Sequence, residues 1–219
     1  MKNAHKSYVL GLKLSHLALL RNLDRFVELA ERGTDRAADL GAFVALYVDF
    51  LDLHHRSEDE FVFPALRRHS AGKTTDAAHL DRWGAEHRAV GTLEAELSEL
   101  AGRLSRGGDA LTLLGQRSRD LKDVLVPHVA SEEDVLSLAH LPEMIPETEL
   151  AATIDVIARA NRANAIAMAS FLASSLEPTE QKALLGDAPW IFRKFILGVL
   201  GARRMRRYRA IVHSPSVAV

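Results

Sequence analysis

The sequence predicts an all-α protein, an up-and-down four-helix bundle with additional C-terminal helices, and three observations predict it. Apolar residues recur at three- and four-residue intervals along almost the whole chain. Alternating strand patterns are absent from the sequence, and glycine and proline lie mostly between the periodic stretches. Four long helices joined by short turns must alternate in direction, so each can bury one stripe in a shared core.

The expected helices follow one another with short connections. Gly33 ends the first helix, and a Gly107-Gly108-Asp109 turn precedes the fourth, which contains Pro127. The predicted ranges are about 5–32, 35–69, 76–105 and 110–140 for the bundle, then 147–176 and 189–209. We therefore expect two parts, a bundle over residues 1–145 and a helical extension over residues 146–219.

The composition limits the chemistry that the chain can perform. None of its 219 residues is cysteine, which excludes disulfides, iron–sulfur clusters, thiolate zinc sites and cysteine nucleophiles. Any metal must therefore be held by nitrogen and oxygen. Lys13 and His16 interrupt the N-terminal apolar residues, unlike a secretory signal, and no stretch reaches the roughly 18 apolar residues of a membrane span. We expect a cytoplasmic protein without a membrane span.

The charge distribution is asymmetric although the formal net charge is −1. Seven of the 28 basic residues and none of the 29 acidic residues lie from Pro189 onward. We expect this basic tail to dock on the acidic body of the chain or on a second subunit, in a homodimer through the C-terminal helices. Nucleic-acid binding is not expected, because no recognised DNA-binding motif accompanies the arginines.

Histidine and glutamate interrupt the apolar stripes of the four bundle helices. In the second helix His54 and Glu58 lie four residues apart on one face, and His128 and Glu132 repeat this spacing in the fourth. The first and third helices each carry one histidine on the stripe. The six candidate metal ligands are His16, His54, Glu58, His87, His128 and Glu132.

Two carboxylates that face each other inside a bundle need a positive partner, because burying an unpaired carboxylate costs several kcal/mol. No lysine or arginine lies on the stripes that carry Glu58 and Glu132. Two divalent cations would supply the charge, with neutral imidazoles filling the other coordination positions. Iron fits this set of nitrogen and oxygen ligands, and manganese is the alternative.

The same residues carry a family resemblance over about residues 10–141. His16, the segment HHRSEDEFVFP, the segment AEHRAV with His87 and the segment PHVASEED follow in the order that is typical of the hemerythrin-like, or HHE cation-binding, family. The resemblance implies two iron ions joined by an oxo, hydroxo or water bridge. It also implies that the four histidines are terminal ligands and that Glu58 and Glu132 bridge the ions.

Two departures separate this sequence from the oxygen-carrying hemerythrins. The position four residues before His87, a histidine in those carriers, is Trp83 here. Their helix 4 carboxylate is an aspartate five residues after its histidine, whereas Glu132 follows His128 by four. The sequence is therefore more similar to the broader bacterial HHE group, whose members act on peroxide or sense oxygen, nitric oxide or iron.

Other polar residues near these motifs have alternative interpretations. His55 is either an extra ligand or a supporting or surface residue, whereas His5 is about 16 Å along the helix from His16 and cannot share its cluster. His87 is preferred to His79, which lies close to the start of its helix. We expect Trp83, Tyr47 and Phe61 to pack in the core, Asp59, Glu60, Glu133 and Asp134 to face outward, and His69, His140 and His213 to be exposed.

The ligand set leads to three functional hypotheses. The first is a di-iron oxidoreductase that consumes H2O2 or uses O2, because few nitrogen ligands leave an open position on iron. The second is a module that holds or senses O2, NO or iron without turnover, with the C-terminal helices reporting the state of the centre to a partner. Five histidines in a tight apolar pocket would instead be expected to carry O2 reversibly. The third, oxygenation of a small organic substrate, requires a cavity between the bundle and the C-terminal helices.

Overall fold

The computed structural model of the chain describes residues 3–69, 74–185, 202–208 and 211. Within these ranges all regular structure is helical, which confirms the predicted all-α class. The helices are α1 (Ala4–Arg32), α2 (Ala37–Ser57), α3 (Phe63–His69), α4 (Thr74–Ser105), α5 (Leu111–Val135), α6 (Leu141–Met144), α7 (Glu147–Ala160), α8 (Ala165–Ser175), α9 (Pro178–Leu185) and α10 (Ala202–Met205).

The four long helices α1, α2, α4 and α5 form the bundle. Helix α1 packs against α5, α2 packs against α4, and α4 packs against α5. The side chain of Asn3 accepts a hydrogen bond from the backbone N–H of Lys6 and caps the start of α1. Gly33 ends α1 with a φ of 75°, a conformation that glycine adopts without strain.

Two apolar clusters fill the bundle, one toward each end. The larger includes Phe26, Phe43 and Tyr47, and the smaller includes Phe63 and Trp83. On each long helix the candidate ligands lie in sequence between the residues of the two clusters. The polar residues therefore form a layer across the middle of an otherwise apolar core.

A π-helical turn over Glu58–Val62 joins α2 to α3, where the sequence predicts one continuous helix. Pro64 has no N–H to donate to the carbonyl of Glu60, and the backbone N–H of Phe63 instead donates to the carbonyl of Glu58. The extra residue in this turn changes the buried face. Phe63 is buried and Phe61 is only half-buried, so the expectation that Phe61 packs in the core is corrected.

Two further boundaries differ from the predicted ones. Helix α5 ends at Val135 instead of about residue 140, and the backbone N–H of its C-cap residue Leu136 donates to the carbonyl of Glu132. The helix predicted over 147–176 is interrupted after Ala160. Asn161 and Asn164 stand at the end of α7 and the start of α8, positions that suit asparagine because its side chain competes for backbone hydrogen bonds.

The C-terminal helices pack on the bundle. Helices α7, α8 and α9 contact α1, and the guanidinium of Arg21 donates two hydrogen bonds, of 2.5 and 3.0 Å, to Glu180 on α9. The Tyr208 ring lies 5.3 Å from that of Phe43, and Arg207 lies 3.6 Å from Asp39, so this part of the basic tail touches the bundle. Most of the helix predicted over 189–209 lies outside the described residues.

No helix among the described residues is long and apolar enough to cross a bilayer.

Candidate metal centre

The predicted ligands meet in the middle of the bundle as two adjoining groups. Within each group, the nitrogen or carboxylate oxygen atoms that could bind an ion all lie within 4.8 Å of one another. One group is His16, His54, Glu58 and Glu132, and the other is His55, His87 and His128. All six predicted residues are included, and His55 is added to them.

The histidines approach one another in pairs through their Nε2 atoms. The Nε2 atoms of His16 and His54 lie 3.1 Å apart, and those of His87 and His128 are also 3.1 Å apart. Two nitrogen ligands about 2.1 Å from one ion and at right angles to each other would be about 3.0 Å apart. Each pair is therefore spaced as two ligands of a single metal ion are.

The two glutamates lie between the histidine pairs and are fully enclosed. Glu58 is 3% exposed and Glu132 is 0% exposed. All four carboxylate oxygens are buried and have no hydrogen-bond partner among the described residues. Burial, together with the charges of Glu132 and Asp59, raises the pKa of Glu58 well above its usual range. Orphaned buried carboxylates facing imidazole nitrogens fit a site built for cations.

Contacts across the layer connect each glutamate with both histidine pairs. Oxygens of Glu132 lie 3.4 Å from Nε2 of His16, 3.5 Å from Nε2 of His128 and 3.9 Å from Nε2 of His87. Oxygens of Glu58 lie 3.6 Å from Nε2 of His54 and 3.8 Å from Nε2 of His87. Each carboxylate thus reaches both groups, as a bridge between two ions must.

Acidic side chains accept hydrogen bonds from three of the imidazoles on the ring nitrogen that faces away from the centre. The Nδ1 atom of His16 donates to Glu133 at 3.1 Å, that of His87 donates to Asp59 at 3.0 Å, and that of His128 donates to Glu86 at 2.8 Å. A carboxylate can only accept, so the hydrogen of each ring resides on Nδ1 and the Nε2 lone pair faces inward. This arrangement fixes the ring orientation and raises the basicity of the ligand nitrogen.

As expected, Asp59 is exposed at the outer surface, and Glu133 is partly exposed, but both also contact a histidine of the centre. Asp59 directly follows Glu58 in sequence, Glu133 directly follows Glu132, and each supports a histidine on another helix. Glu86, which was not singled out, directly precedes His87 and supports His128. The sequence did contain one sign of these partners, because each is the immediate neighbour of a candidate ligand. A residue next to an inward-facing ligand lies at the side of its helix, close to the adjacent helix.

His55 belongs to the centre rather than to the surface. It is 5% exposed, and its ring stacks on that of His87 with centroids 4.0 Å apart and planes 15° apart. Its Nδ1 atom lies 3.9 Å from Glu94, which approaches it from α4. Burial, together with neighbouring histidines such as His87, holds the pKa of His55 well below its usual range, so the ring is neutral and able to bind a metal.

The charge states of the first histidine pair differ in the metal-free geometry. Burial and the neighbouring histidines hold the pKa of His54 well below its usual range. For His16, burial lowers the pKa, but the nearby carboxylates of Glu132 and Glu133 outweigh burial and leave it raised. A proton on His16 would partly balance the buried carboxylates, and a metal ion would replace that proton.

A cavity of about 300 Å³ adjoins the first group of ligands. It lies between α1, α2, the π-helical turn and α7, and its wall includes His54, Glu58 and Tyr8. The Tyr8 hydroxyl is buried and has no hydrogen-bond partner among the described residues. Burial, followed by the charges of Glu58 and Glu132, raises the pKa of Tyr8 well above its usual range, so the phenol stays protonated.

The remaining histidines of the described residues lie outside the centre. His5 is buried, and its Nε2 atom lies 2.9 Å from the carbonyl of Ile145, which gives it a structural partner at the start of α1. His79 lies beside Trp83 with ring centroids 5.7 Å apart. His69, which lies near Glu149, and His140 are both exposed as expected, whereas His213 lies outside the described residues.

Comparison with known proteins identifies one family. The family model described as hemerythrin HHE cation binding domain matches residues 11–165, which is more than half of the chain. No curated protein and no solved structure matches the chain. The matched range contains every residue of both ligand groups.

Proposed function

Because the chain belongs to the hemerythrin HHE cation-binding domain family, we propose that it is a non-haem di-iron protein that reacts with O2 or H2O2. The observation that carries the proposal is the set of four buried carboxylate oxygens of Glu58 and Glu132, unpartnered within the described residues and surrounded by imidazole Nε2 atoms. Oxygen and imidazole ligands without thiolate favour iron or manganese.

The proposed ligand set divides between two ions. His16 and His54 would hold one ion, and His55, His87 and His128 would hold the other, a division that follows the two groups and the 3.1 Å histidine pairs. Glu58 and Glu132 would supply carboxylate oxygens to both ions. The ions neutralise both carboxylates, which otherwise repel each other in the core.

Bound iron would supply reversible one-electron steps at two adjacent centres, and the chain's own residues would control access and protonation. Asp59, Glu86 and Glu133 keep three imidazoles in the tautomer that binds metal. The cavity lined by His54 and Glu58 gives a small molecule a path to the first ion. Consumption of peroxide needs no other reactant, since two H2O2 molecules yield two water molecules and one O2.

One observation favours the second candidate, a module that binds or senses O2 or NO without turnover. His55 brings the number of histidines in the centre to five, the number expected for reversible binding of O2. The cavity beside the first ion favours the enzyme instead, because it admits a reactant to the centre. The two candidates therefore differ in what happens after the ligand reaches iron.

The deciding experiment begins with anaerobic loading of the full chain with Fe²⁺ and measurement of iron per chain. The sample is then exposed to H2O2 in an oxygen electrode and to O2 in a spectrophotometer. Many O2 molecules released per chain support the enzyme, and a stable, reversible absorption change without turnover supports the binding module. Absence of both responses in iron-loaded protein overturns the proposal. Glu132→Ala, which removes a bridge, is the iron-poor control.

A further inference from the structure

The cavity beside Glu58 is larger than O2, NO or H2O2 requires. Its volume is about 300 Å³, at the lower end of the range of small-molecule pockets, and apolar cavities of about 150 Å³ already bind benzene. A path for diatomic ligands alone would need only a fraction of this space. The cavity is therefore large enough for an organic molecule of about one substituted ring.

The wall of the cavity selects a neutral, mostly apolar occupant. Leu12, Phe50 and Leu53 supply apolar surface from the bundle, and Ile154 and Ile157 supply it from α7. Among the described residues, Glu58 is the one charged side chain of the wall, and the proposed ions take up its charge. Beyond the reach of the proposed ions, an ionic group would lose its hydration against this wall without gaining a charged partner.

The wall of the cavity includes Tyr8, whose hydroxyl is a buried polar group. The Tyr8 hydroxyl is buried, stays protonated and has no hydrogen-bond partner among the described residues. A buried hydroxyl without a partner is costly, and a ligand oxygen would satisfy it. Tyr8 also lies close enough to Glu58 and Glu132 for their charges to act on it, so the anchor is at the metal end of the cavity.

We propose that this cavity binds a small neutral organic molecule, about one ring in size, with a hydroxyl or carbonyl oxygen hydrogen-bonded to Tyr8 beside the metal centre. The inference names the class of organic ligand for the centre and rests on the proposed function for its position beside iron. Helix α7 forms one wall of the cavity through Ile154 and Ile157, and Asn161 at the end of α7 donates a hydrogen bond to the Ser57 hydroxyl at 3.1 Å.

Gly11 provides a direct way to fill the cavity. It lines the wall within α1, and a Cβ atom built on it meets no other atom within 4 Å. Leucine favours a helix more than glycine does, so Gly11→Leu fills the space without weakening α1. Gly91→Leu is the matched control, because Gly91 lies within α4, does not line the cavity and has only Glu94 at 4.0 Å from its Cβ position.

In the experiment the iron-loaded full chain is titrated with p-cresol and, separately, with toluene. Binding is measured by calorimetry and by ligand-observed NMR. We expect saturable binding of one molecule of each probe per chain. Gly11→Leu should weaken both at least about tenfold, and Gly91→Leu should leave both unchanged. Tyr8→Phe should weaken p-cresol about three- to tenfold, the contribution of one hydrogen bond, and leave toluene within about twofold.

A second pair of variants tests the α7 wall if Gly11→Leu does not fold. Ile157→Trp fills the cavity from α7, and Val156→Trp places the same bulk at a neighbouring position that is 39% exposed. Only the first should abolish probe binding. The inference is overturned if the wild type shows no saturable binding. It is also overturned if Gly11→Leu binds the probes as well as Gly91→Leu does, or if Ile157→Trp binds them as well as Val156→Trp does.

Two other results are equally informative. If Gly11→Leu slows the response to O2 while neither probe binds the wild type, the cavity is only a path for small oxidants and the inference is wrong. Equal weakening of p-cresol and toluene in Tyr8→Phe overturns the role of the hydroxyl. Iron is measured in every sample, so probe binding without iron refutes the metal centre alone, and iron without probe binding refutes the cavity alone.

Discussion

The imidazole rings of His55 and His87 stack face to face, with centroids 4.0 Å apart and planes inclined by 15°. The stack holds His55 in the metal layer, although its neighbour in sequence, His54, serves the other group of ligands. Consecutive histidines of one helix thus belong to different groups of candidate ligands.

His55 is predicted to be a ligand of the second ion. His55→Gln should therefore weaken retention of iron at least about tenfold and reduce the iron content below that of the wild type. His5→Gln is the matched control, because His5 is also buried but contacts the carbonyl of Ile145 instead of the centre. Metal analysis after dialysis against a chelator measures both. Equal iron in the two variants would remove His55 from the ligand set.

The acidic partner of His128 is predicted to strengthen metal binding without touching the metal. Glu86→Gln should weaken iron affinity about 10- to 100-fold, because the imidazole loses the acceptor that orients it and raises its basicity. Glu96→Gln on the same helix removes a surface ion pair with Arg117 and should have no effect. Competition with a chromophoric chelator gives both affinities. Indistinguishable affinities would assign Glu86 to the solvated surface.

Removal of iron should leave a core weakened by its own carboxylates. In the iron-free protein at pH 8, Glu132→Gln should raise the free energy of unfolding by about 1–2 kcal/mol, because it removes a buried charge that faces Glu58. In the presence of iron the same change should lower stability, since a bridge is lost. Urea denaturation with and without chelator measures both signs. A loss of stability in both states would show that the carboxylates stabilise the core unaided.

The ion pair between Arg21 and Glu180 should hold α9 on the bundle in a pH-dependent manner. The hydrogen bond from Arg21 lowers the pKa of Glu180 below its ordinary value of 4.5. The folded state therefore binds this proton less readily than the unfolded state, and the stabilisation is complete above pH 4.5 and lost as the pH falls below it.

Hydrogen exchange of the α9 amides measures this contribution. Glu180→Gln should speed exchange at pH 6 by up to about fivefold, in keeping with a pair worth at most about 1 kcal/mol, and should leave the iron content unchanged. The difference between the wild type and the variant should shrink as the pH falls below 4.5, after correction for intrinsic rates. Glu31→Gln, which removes the pair with Arg119, is the control. Equal protection of α9 in all three proteins at pH 6 would contradict the role of this pair.

The sequence was sufficient to predict the bundle and to select the six candidate ligands. Helical periodicity reports directly which residues share a face, so His54 with Glu58 and His128 with Glu132 could be paired by spacing alone. The sequence also indicates that buried carboxylates need cations. These conclusions depend on one helix at a time, which is why a single sequence was enough.

Features that depend on contacts between helices were not predictable in the same way. The support of His128 by Glu86 and the stacking of His55 on His87 join residues of different helices. Phe63 occupies the core position expected for Phe61, because the extra residue in the π-helical turn before Pro64 rotates the side chains of the following residues about the helix axis. The cavity bounded by α7 depends on how α7 packs, which periodicity does not report.

The most direct test of the account is the iron content of the purified, reconstituted chain. We expect about two iron ions per chain in the wild type and loss of that iron in both Glu58→Ala and Glu132→Ala. His5→Gln, which alters a buried histidine outside the centre, should retain both ions. A wild type that stays fully folded but takes up no iron, or two glutamate variants that keep it, would contradict the proposal that these carboxylates are buried to hold metal.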